Sequence, residues 1–268
     1  MDVHTKTNRR YWDQLAELHP KTPFYRLDAF KRGENILDPI EREFLGDVEG
    51  KRLLQLQCHF GLETLALARL GADATGLDLS PIAIETARGL ATELNIPATF
   101  IEADVLHPPG NLRGFDIVFA SWGTLCWISD LNAWMRTAAH GLKPGWQLIL
   151  VDAHPVGMML DCETEPGASL RVRYPYDSTK PAIEESQGSY ADESAILEEP
   201  RCVVWEHGLE SIFSAMLRAG LALRSFRELD RVAWPMPALV KAEEYYWKLP
   251  ESLPYVPIGL ALTAERTG

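Results

Sequence analysis

The chain has 268 residues, 46% hydrophobic and 24% charged, with a formal net charge of -12. This reads as a soluble globular composition with core enough for one elaborated domain. The negative balance argues against a large nucleic-acid partner, because phosphate binding is driven by counterion release to Lys and Arg. No run approaches the roughly 20 apolar residues of a membrane-spanning helix. The first residues, MDVHTKTNRRYWD, are polar where a secretory leader needs an apolar core. Cys58, Cys126, Cys162 and Cys202 are scattered, with no Cys-x-x-Cys pair. They are expected to be free thiols of a cytoplasmic protein. No clustered ligand set suggests a metal site.

Residues 1–50 are aromatic-rich and partly helical, with Tyr11, Trp12, Phe24, Tyr25 and Phe30. Asp38-Pro39 opens a helix that runs to about Leu45, with proline in its first turn. Leu53, Leu54 and Leu56 form a short apolar strand, and the turn Cys58-His59-Phe60-Gly61 follows. Residues 62–70 are apolar at helical spacing, and Gly71 stops that helix. Residues 74–79 make the next strand, with Asp78 near its end. Ser80 caps a helix over 81–94, with Pro81 at its first position.

A third strand covers 99–103 and ends at Asp104. Residues 115–120 (FDIVFA) are apolar on both sides, as a buried parallel strand should be. A helix over 131–142, a Lys143-Pro144-Gly145 turn and a strand over 146–151 complete five strands alternating with helices. That order predicts an α/β, doubly wound, mostly parallel sheet. Residues 153–207 break the pattern. The runs 170–176 and 201–205 look like a strand pair, so this stretch is expected to be an inserted lid, since structureless loops of that length are rare. A helix over 209–219 closed by Gly220, and strands over 221–229 and 258–265, return the chain to the sheet.

The segment RLLQLQCHFGLETLALARLGADATGLDLS, residues 52–80, is the first half of a nucleotide-binding βαβ unit. A dinucleotide fingerprint needs three glycines so that backbone can approach a pyrophosphate, and only Gly61 is present. No Walker lysine follows. The ligand therefore carries an adenosine but no chain of phosphates, a description that S-adenosylmethionine meets.

The order of elements resembles the class I S-adenosylmethionine-dependent methyltransferases. LQLQCHFG stands at their cofactor turn, Gly76-Leu77-Asp78-Leu79-Ser80 at the second-strand motif, and Glu102-Ala103-Asp104-Val105 at the adenine-side motif. Phe115-Asp116-Ile117-Val118 with Ala120-Ser121 is similar to the fourth strand, and Leu142-Lys143-Pro144-Gly145-Trp146 to the turn before the fifth. The resemblance spans about residues 50–152, and the wording LQCHFGLETLALARLGA looks like a bacterial small-molecule subgroup.

It implies a seven-stranded Rossmann-like sheet with an N-terminal helical cap (1–50), a cofactor-binding core (51–152), a lid (153–207) and the rest of the core (208–268). It implies that Asp78 takes the ribose hydroxyls, that Leu79 packs on adenine, and that Asp104 and the Val105 backbone meet the adenine edge. The turn residues Gln57, Cys58, His59 and Gly61 would lie along the methionine portion, with Ser121 near its amino group. Gln55, Gln57 and His59 depart from the pattern. Gln55 replaces the acid of the first strand, which leaves a neutral partner at the methionine end.

By the α/β rule the acceptor lies beyond the carboxyl ends of the strands. His154 is the candidate general base, since its free pKa lies near neutrality. Tyr11, Tyr25, Trp122, Tyr190 and His207 are candidate pocket residues. The absence of an Asn/Asp-Pro-Pro-Tyr/Phe motif after the fourth strand, with the negative charge, points to a small-molecule acceptor with an O, N or S nucleophile. Two alternatives stay open: a nicotinamide-dependent oxidoreductase on a similar sheet, and a non-catalytic S-adenosylmethionine-binding protein. A homodimer is also left open.

Overall fold

In the computed structural model, which describes residues 2–161, 164–186 and 188–268, three layers form around a seven-stranded sheet. Cys162 lies outside the described residues. The elements, in chain order, are helices α1 (Val3–Leu18), α2 (Leu27–Lys31) and α3 (Pro39–Leu45), strand β1 (Arg52–Leu56), α4 (Leu62–Arg69), β2 (Asp73–Asp78), α5 (Pro81–Leu94), β3 (Thr99–Glu102) and β4 (Phe115–Ser121). There follow α6 (Leu131–Gly141), β5 (Leu142–Ala153), α7 (Pro155–Met158), β6 (Ala182–Glu185), β7 (Arg201–Val204), α8 (Leu209–Arg218), β8 (Leu221–Leu229), β9 (Arg231–Val232), β10 (Val240–Lys241), β11 (Trp247–Lys248) and β12 (Gly259–Arg266).

The sheet order is β3-β2-β1-β4-β5-β12-β8, parallel except for β12, which runs antiparallel to both β5 and β8. Alternation along each strand sends side chains to opposite faces. Leu53, Ile117, Phe119, Ile149 and Val151 pack one way, with α3, α4 and α5. Leu54, Val118, Ala120, Leu148 and Leu150 pack the other way, with α6 and α8. Both faces are dry, which is why these strands read as continuous apolar runs. Strands β3 and β8 are the edges of the sheet, and β8 carries charged residues such as Arg224 and Arg227, which discourage edge pairing.

Two expectations are corrected. The Lys-Pro-Gly turn lies within β5. Leu142 pairs with Phe115 and Gln147 with Ile117, so residues 143–146 bulge out of the ladder around Gly145, whose φ is +80°. The strand of the lid that pairs with β7 is β6, not residues 170–176. Only Val172 of that run makes a bridge, to Leu160. The pairing is fixed from outside the lid: Asn8 on α1 donates to the Val203 carbonyl (2.7 Å) and accepts from the Val203 amide (2.8 Å). Helix α1 is also tied to the core, where Ser80 Oγ donates to Asp13 (2.5 Å). Helix α1 and strand β7 thus fasten to each other. Among the described residues no helix is long and apolar enough to cross a membrane.

Candidate active site

A cavity of about 250 Å³ opens at the carboxyl ends of β1, β2 and β4, lined also by residues of the N-terminal segment such as Trp12 and Tyr25 and by Tyr190. Its centre is the turn after β1. Gln57, His59 and Gly61 have φ of 54°, 52° and 75°. The backbone keeps a left-handed conformation at all three, although two of the residues carry side chains that make it costly. Those side chains find partners that offset the strain. Gln57 accepts from Trp134 Nε1 (2.8 Å) and donates to the Thr124 carbonyl (3.0 Å). Gly61 itself has no room for a side chain: a Cβ would sit 2.5 Å from the Phe100 ring and 2.7 Å from Ala87.

Asp78, at the end of β2, accepts from the Ser80 amide at one oxygen (2.9 Å) and from the His59 amide at the other (2.8 Å). Burial raises its carboxyl to about 6, opposed by these backbone donors. Cys58 lies beneath, buried, with Sγ 2.7 Å from where a Gly76 Cβ would be. Asp104 organises its own turn, accepting from the Leu106 amide (2.9 Å), with His107 Nδ1 at 3.1 Å. Leu79, Asp104, Val105 and Ile128 line the same end of the cavity.

The opposite end is acidic in a way that sequence reading missed. Glu63, in the first turn of α4, lies in the cavity and accepts from Gln55 Nε2 (2.6 Å) and Ser121 Oγ (2.5 Å). Gln55 on β1 is thus hydrogen-bonded to a carboxyl supplied by the neighbouring helix. Asp38 and Glu41 of the α3 capping box join it. Asp38 accepts from Trp122 Nε1 (2.6 Å), Tyr246 Oη (2.6 Å) and the Glu41 amide (2.9 Å). Burial, reinforced by the neighbouring carboxyls, holds Glu41 and Glu63 above the usual carboxylate range. The visible signal was the Asp38-Pro39-Ile40-Glu41 cap, but its position facing α4 depends on tertiary packing.

Over the turn, His59 Nε2 is 2.8 Å from His19 Nδ1, and His19 Nε2 is 2.7 Å from Ser189 Oγ on the lid. Burial lowers His19 to about 3 and His59 well below the ordinary range, so both are neutral. Among the described residues His59 Nδ1 has no partner. Tyr25 and Tyr190 share a short hydrogen bond beside them and line the cavity, as does Trp122.

Three expected residues are elsewhere. His154 is 1% exposed. Its Nδ1 accepts from the Val156 amide at the start of α7 (3.1 Å), and its Nε2 faces Glu228 of β8 at 3.4 Å. The geometry thus corrects the expectation of a base there: His154 does not line the cavity. The acid beside it, Asp152, is spent on the loop after β4, accepting from Gly123, Thr124 and Leu125. His207 is hydrogen-bonded to the Ile128 carbonyl (2.7 Å), and Tyr11 stacks on Trp127, one layer behind the wall. Among the described residues no group of His, Cys, Asp and Glu is arranged to hold a metal ion.

Residues 53–145 match the family described as methyltransferase domain. The chain is 38% identical over 101 residues to the biotin biosynthesis bifunctional protein of Bordetella avium, covering 37% of this chain and 21% of that one. It is 30% identical over 137 residues to the ubiquinone biosynthesis O-methyltransferase of Photorhabdus laumondii, covering 51% of this chain and 53% of that one. Among solved structures, an S-adenosylmethionine-dependent methyltransferase from Mesorhizobium loti superposes with a TM-score of 0.60 at 21% identity, over 88% of this chain and all of that one. A glycopeptide N-methyltransferase complexed with S-adenosylmethionine gives 0.52 at 18% identity, over 85% and 86%. Residues 53–145 thus match a methyltransferase domain, the fold is the one seen in solved S-adenosylmethionine-dependent methyltransferases, and the chain spans about half or less of the length of the curated relatives it matches.

Proposed function

We propose that the protein transfers a methyl group from S-adenosylmethionine to a small-molecule acceptor. The observation that carries this is the cavity with a carboxylate at each end, Asp78 beyond β2 and Glu63 beyond β1, lined also by Trp12, Tyr25 and Tyr190. The donor set fits the cofactor. Asp78 takes the ribose hydroxyls, while Leu79, Asp104 and Val105 hold adenine. Gln57, Cys58, His59 and Gly61 line the methionine portion, and Glu63 with Ser121 takes its ammonium. S-adenosylmethionine supplies an electrophilic methyl group on a sulfonium. The chain's own task is to exclude water, align the acceptor and, for an acceptor that carries a proton, remove it.

In this reading residues 1–50 are the cap, 51–152 the cofactor core, 153–207 the lid and 208–268 the remainder of the core. The cavity of about 250 Å³ and the charge of -12 favour a small acceptor over a nucleic acid. A cytoplasmic location and a homodimer belong to the same proposal. Calorimetric titration with S-adenosylhomocysteine and with NAD tests it. Tight binding of the first is expected. Binding of NAD alone would return the site to the nicotinamide alternative. Binding of S-adenosylhomocysteine without methyl transfer to any metabolite fraction would favour the non-catalytic one.

A further inference from the structure

We propose that the acceptor is a cationic amine, received by Glu41 at the acidic end of the cavity. This rests on the methyl-transfer reading above and names the substrate class of the same site. Glu41 is 2% exposed and lines the cavity. One of its oxygens accepts from the Asp38 amide (2.9 Å); among the described residues the other, Oε1, has no hydrogen-bond partner, the nearby Ser121 hydroxyl donating to Glu63 instead. In the empty site burial and the neighbouring carboxyls push Glu41 toward its neutral form, and a cation arriving beside the unpaired oxygen favours the ionised one.

The charge count points the same way. Asp38, Glu41 and Glu63 converge here, and the donors they meet are neutral: amides, a hydroxyl, an indole and a phenol. Arg26 also lines the cavity, but it is committed to Glu34 (3.3 Å) and Glu244 (3.0 Å) and bonded to Tyr245. The cofactor brings an ammonium and a sulfonium against its own carboxylate, a net single positive charge that answers one of the three carboxyls and leaves an excess. A second cation answers the excess. Trp122 and Tyr25 line the same cavity, and aromatic rings attract an ammonium; the Tyr245 ring already lies under the Arg26 guanidinium. A carboxylate or phenolate acceptor meets repulsion instead.

The proton balance closes on Glu41. The ammonium form gives its proton to the carboxylate, which frees the nitrogen lone pair. A C–N bond to the methyl group forms as the donor C–S bond breaks, its electron pair remaining on sulfur. The product leaves as an N-methylated ammonium, and Glu41 returns its proton to water.

Two measurements test this. With the S-adenosylhomocysteine-saturated protein, choline should bind at least ~10-fold more tightly than its uncharged isostere 3,3-dimethyl-1-butanol, the difference being one cation in an acidic aromatic site. Glu41→Gln, whose amide oxygen still accepts from Asp38, should cut that preference to about 2-fold while changing S-adenosylhomocysteine affinity less than about 3-fold. In a methyl-transfer panel, small amines should turn over, and phenols, thiols and carboxylic acids should not. Equal binding of choline and its isostere would overturn the proposal without any variant. So would turnover of phenols or acids in preference to amines, or a Glu41→Gln loss of S-adenosylhomocysteine as large as the loss of choline. Failure of S-adenosylhomocysteine to bind would instead remove the methyl-transfer reading, and choline preference in the free protein would still score the acidic site.

Discussion

Gln55 on β1 and Glu63 on α4 share a 2.6 Å hydrogen bond, so an amide occupies the strand position and the carboxylate reaches it from the neighbouring helix. The carboxyl beside the strand position is thus supplied by the helix. The remaining Gln55 oxygen accepts from Thr64 Oγ (2.5 Å), which fixes which way the amide faces. The pair is thereby locked as donor and acceptor.

This relationship predicts that Glu63→Gln weakens S-adenosylhomocysteine binding by ~10-fold or more, the worth of one charge-assisted contact. The free protein should stay folded, because burial already disfavours the ionised form. Calorimetry on the variant checks it. Unchanged affinity would put the ammonium on another group.

The framework around that pair was legible in the sequence because it depends on local rules. Short continuous apolar runs marked β1, β2 and β4; Ser80 and Asp38 marked helix starts; Gly71 and Gly220 marked stops. The acidic end was not legible, because Asp38, Glu41 and Glu63 belong to two helices whose meeting is a tertiary event. The His19–His59 pair spans 40 residues and carries no periodic signature. The partner of β7 was misjudged for a related reason. Strand pairing in the lid follows the Asn8 clamp on α1, which no local pattern reports. At 57 and 59 the family pattern foresees glycine, whereas the backbone keeps the glycine conformation and the side chains supply the compensation.

Asp78 gives a pH prediction for the cofactor. Its carboxyl is raised to about 6 in the folded protein, and the ionised form accepts ribose hydroxyls best. Affinity for S-adenosylhomocysteine should therefore be highest above pH 6 and fall as pH drops through 6. Asp78→Asn should bind ~10-fold more weakly at pH 7.5 and lose this dependence. Titrations at pH 5.5, 6.5 and 7.5 on both proteins separate the outcomes, and a wild-type affinity flat across that range would remove Asp78 from the binding set.

His19 gives a prediction of the opposite sign, for stability. It is lowered to about 3 when folded and titrates near 6.5 when unfolded. Between those values the unfolded chain holds the extra proton, so stability falls as pH falls from 6.5 toward 3, by at most about 1.4 kcal/mol per pH unit for one group. Asp78 opposes this between about 4 and 6: its folded form holds the extra proton, which works against destabilisation as pH falls. His19→Phe should be less stable at pH 7 by about 2 kcal/mol, since His59 and Ser189 lose a buried partner. Its acid slope should be shallower than wild type in urea titrations at pH 7, 6 and 5.

His154 separates a structural histidine from a chemical one. Its ring closes the first turn of α7 and faces Glu228 of β8, away from the cavity. Burial lowers its pKa, and Glu228 opposes that shift without supplying a route to the site. His154→Ala should lose a helix cap and leave a small void, costing about 1–3 kcal/mol. Affinity for S-adenosylhomocysteine and single-turnover methyl transfer, measured below the lowered melting temperature, should remain within about 2-fold, since neither α7 nor β8 contributes to the cavity wall. A fall in the transfer rate of ~100-fold at unchanged affinity would be the signature of a general base, and would require β8 and the cavity to come together in a state other than this one.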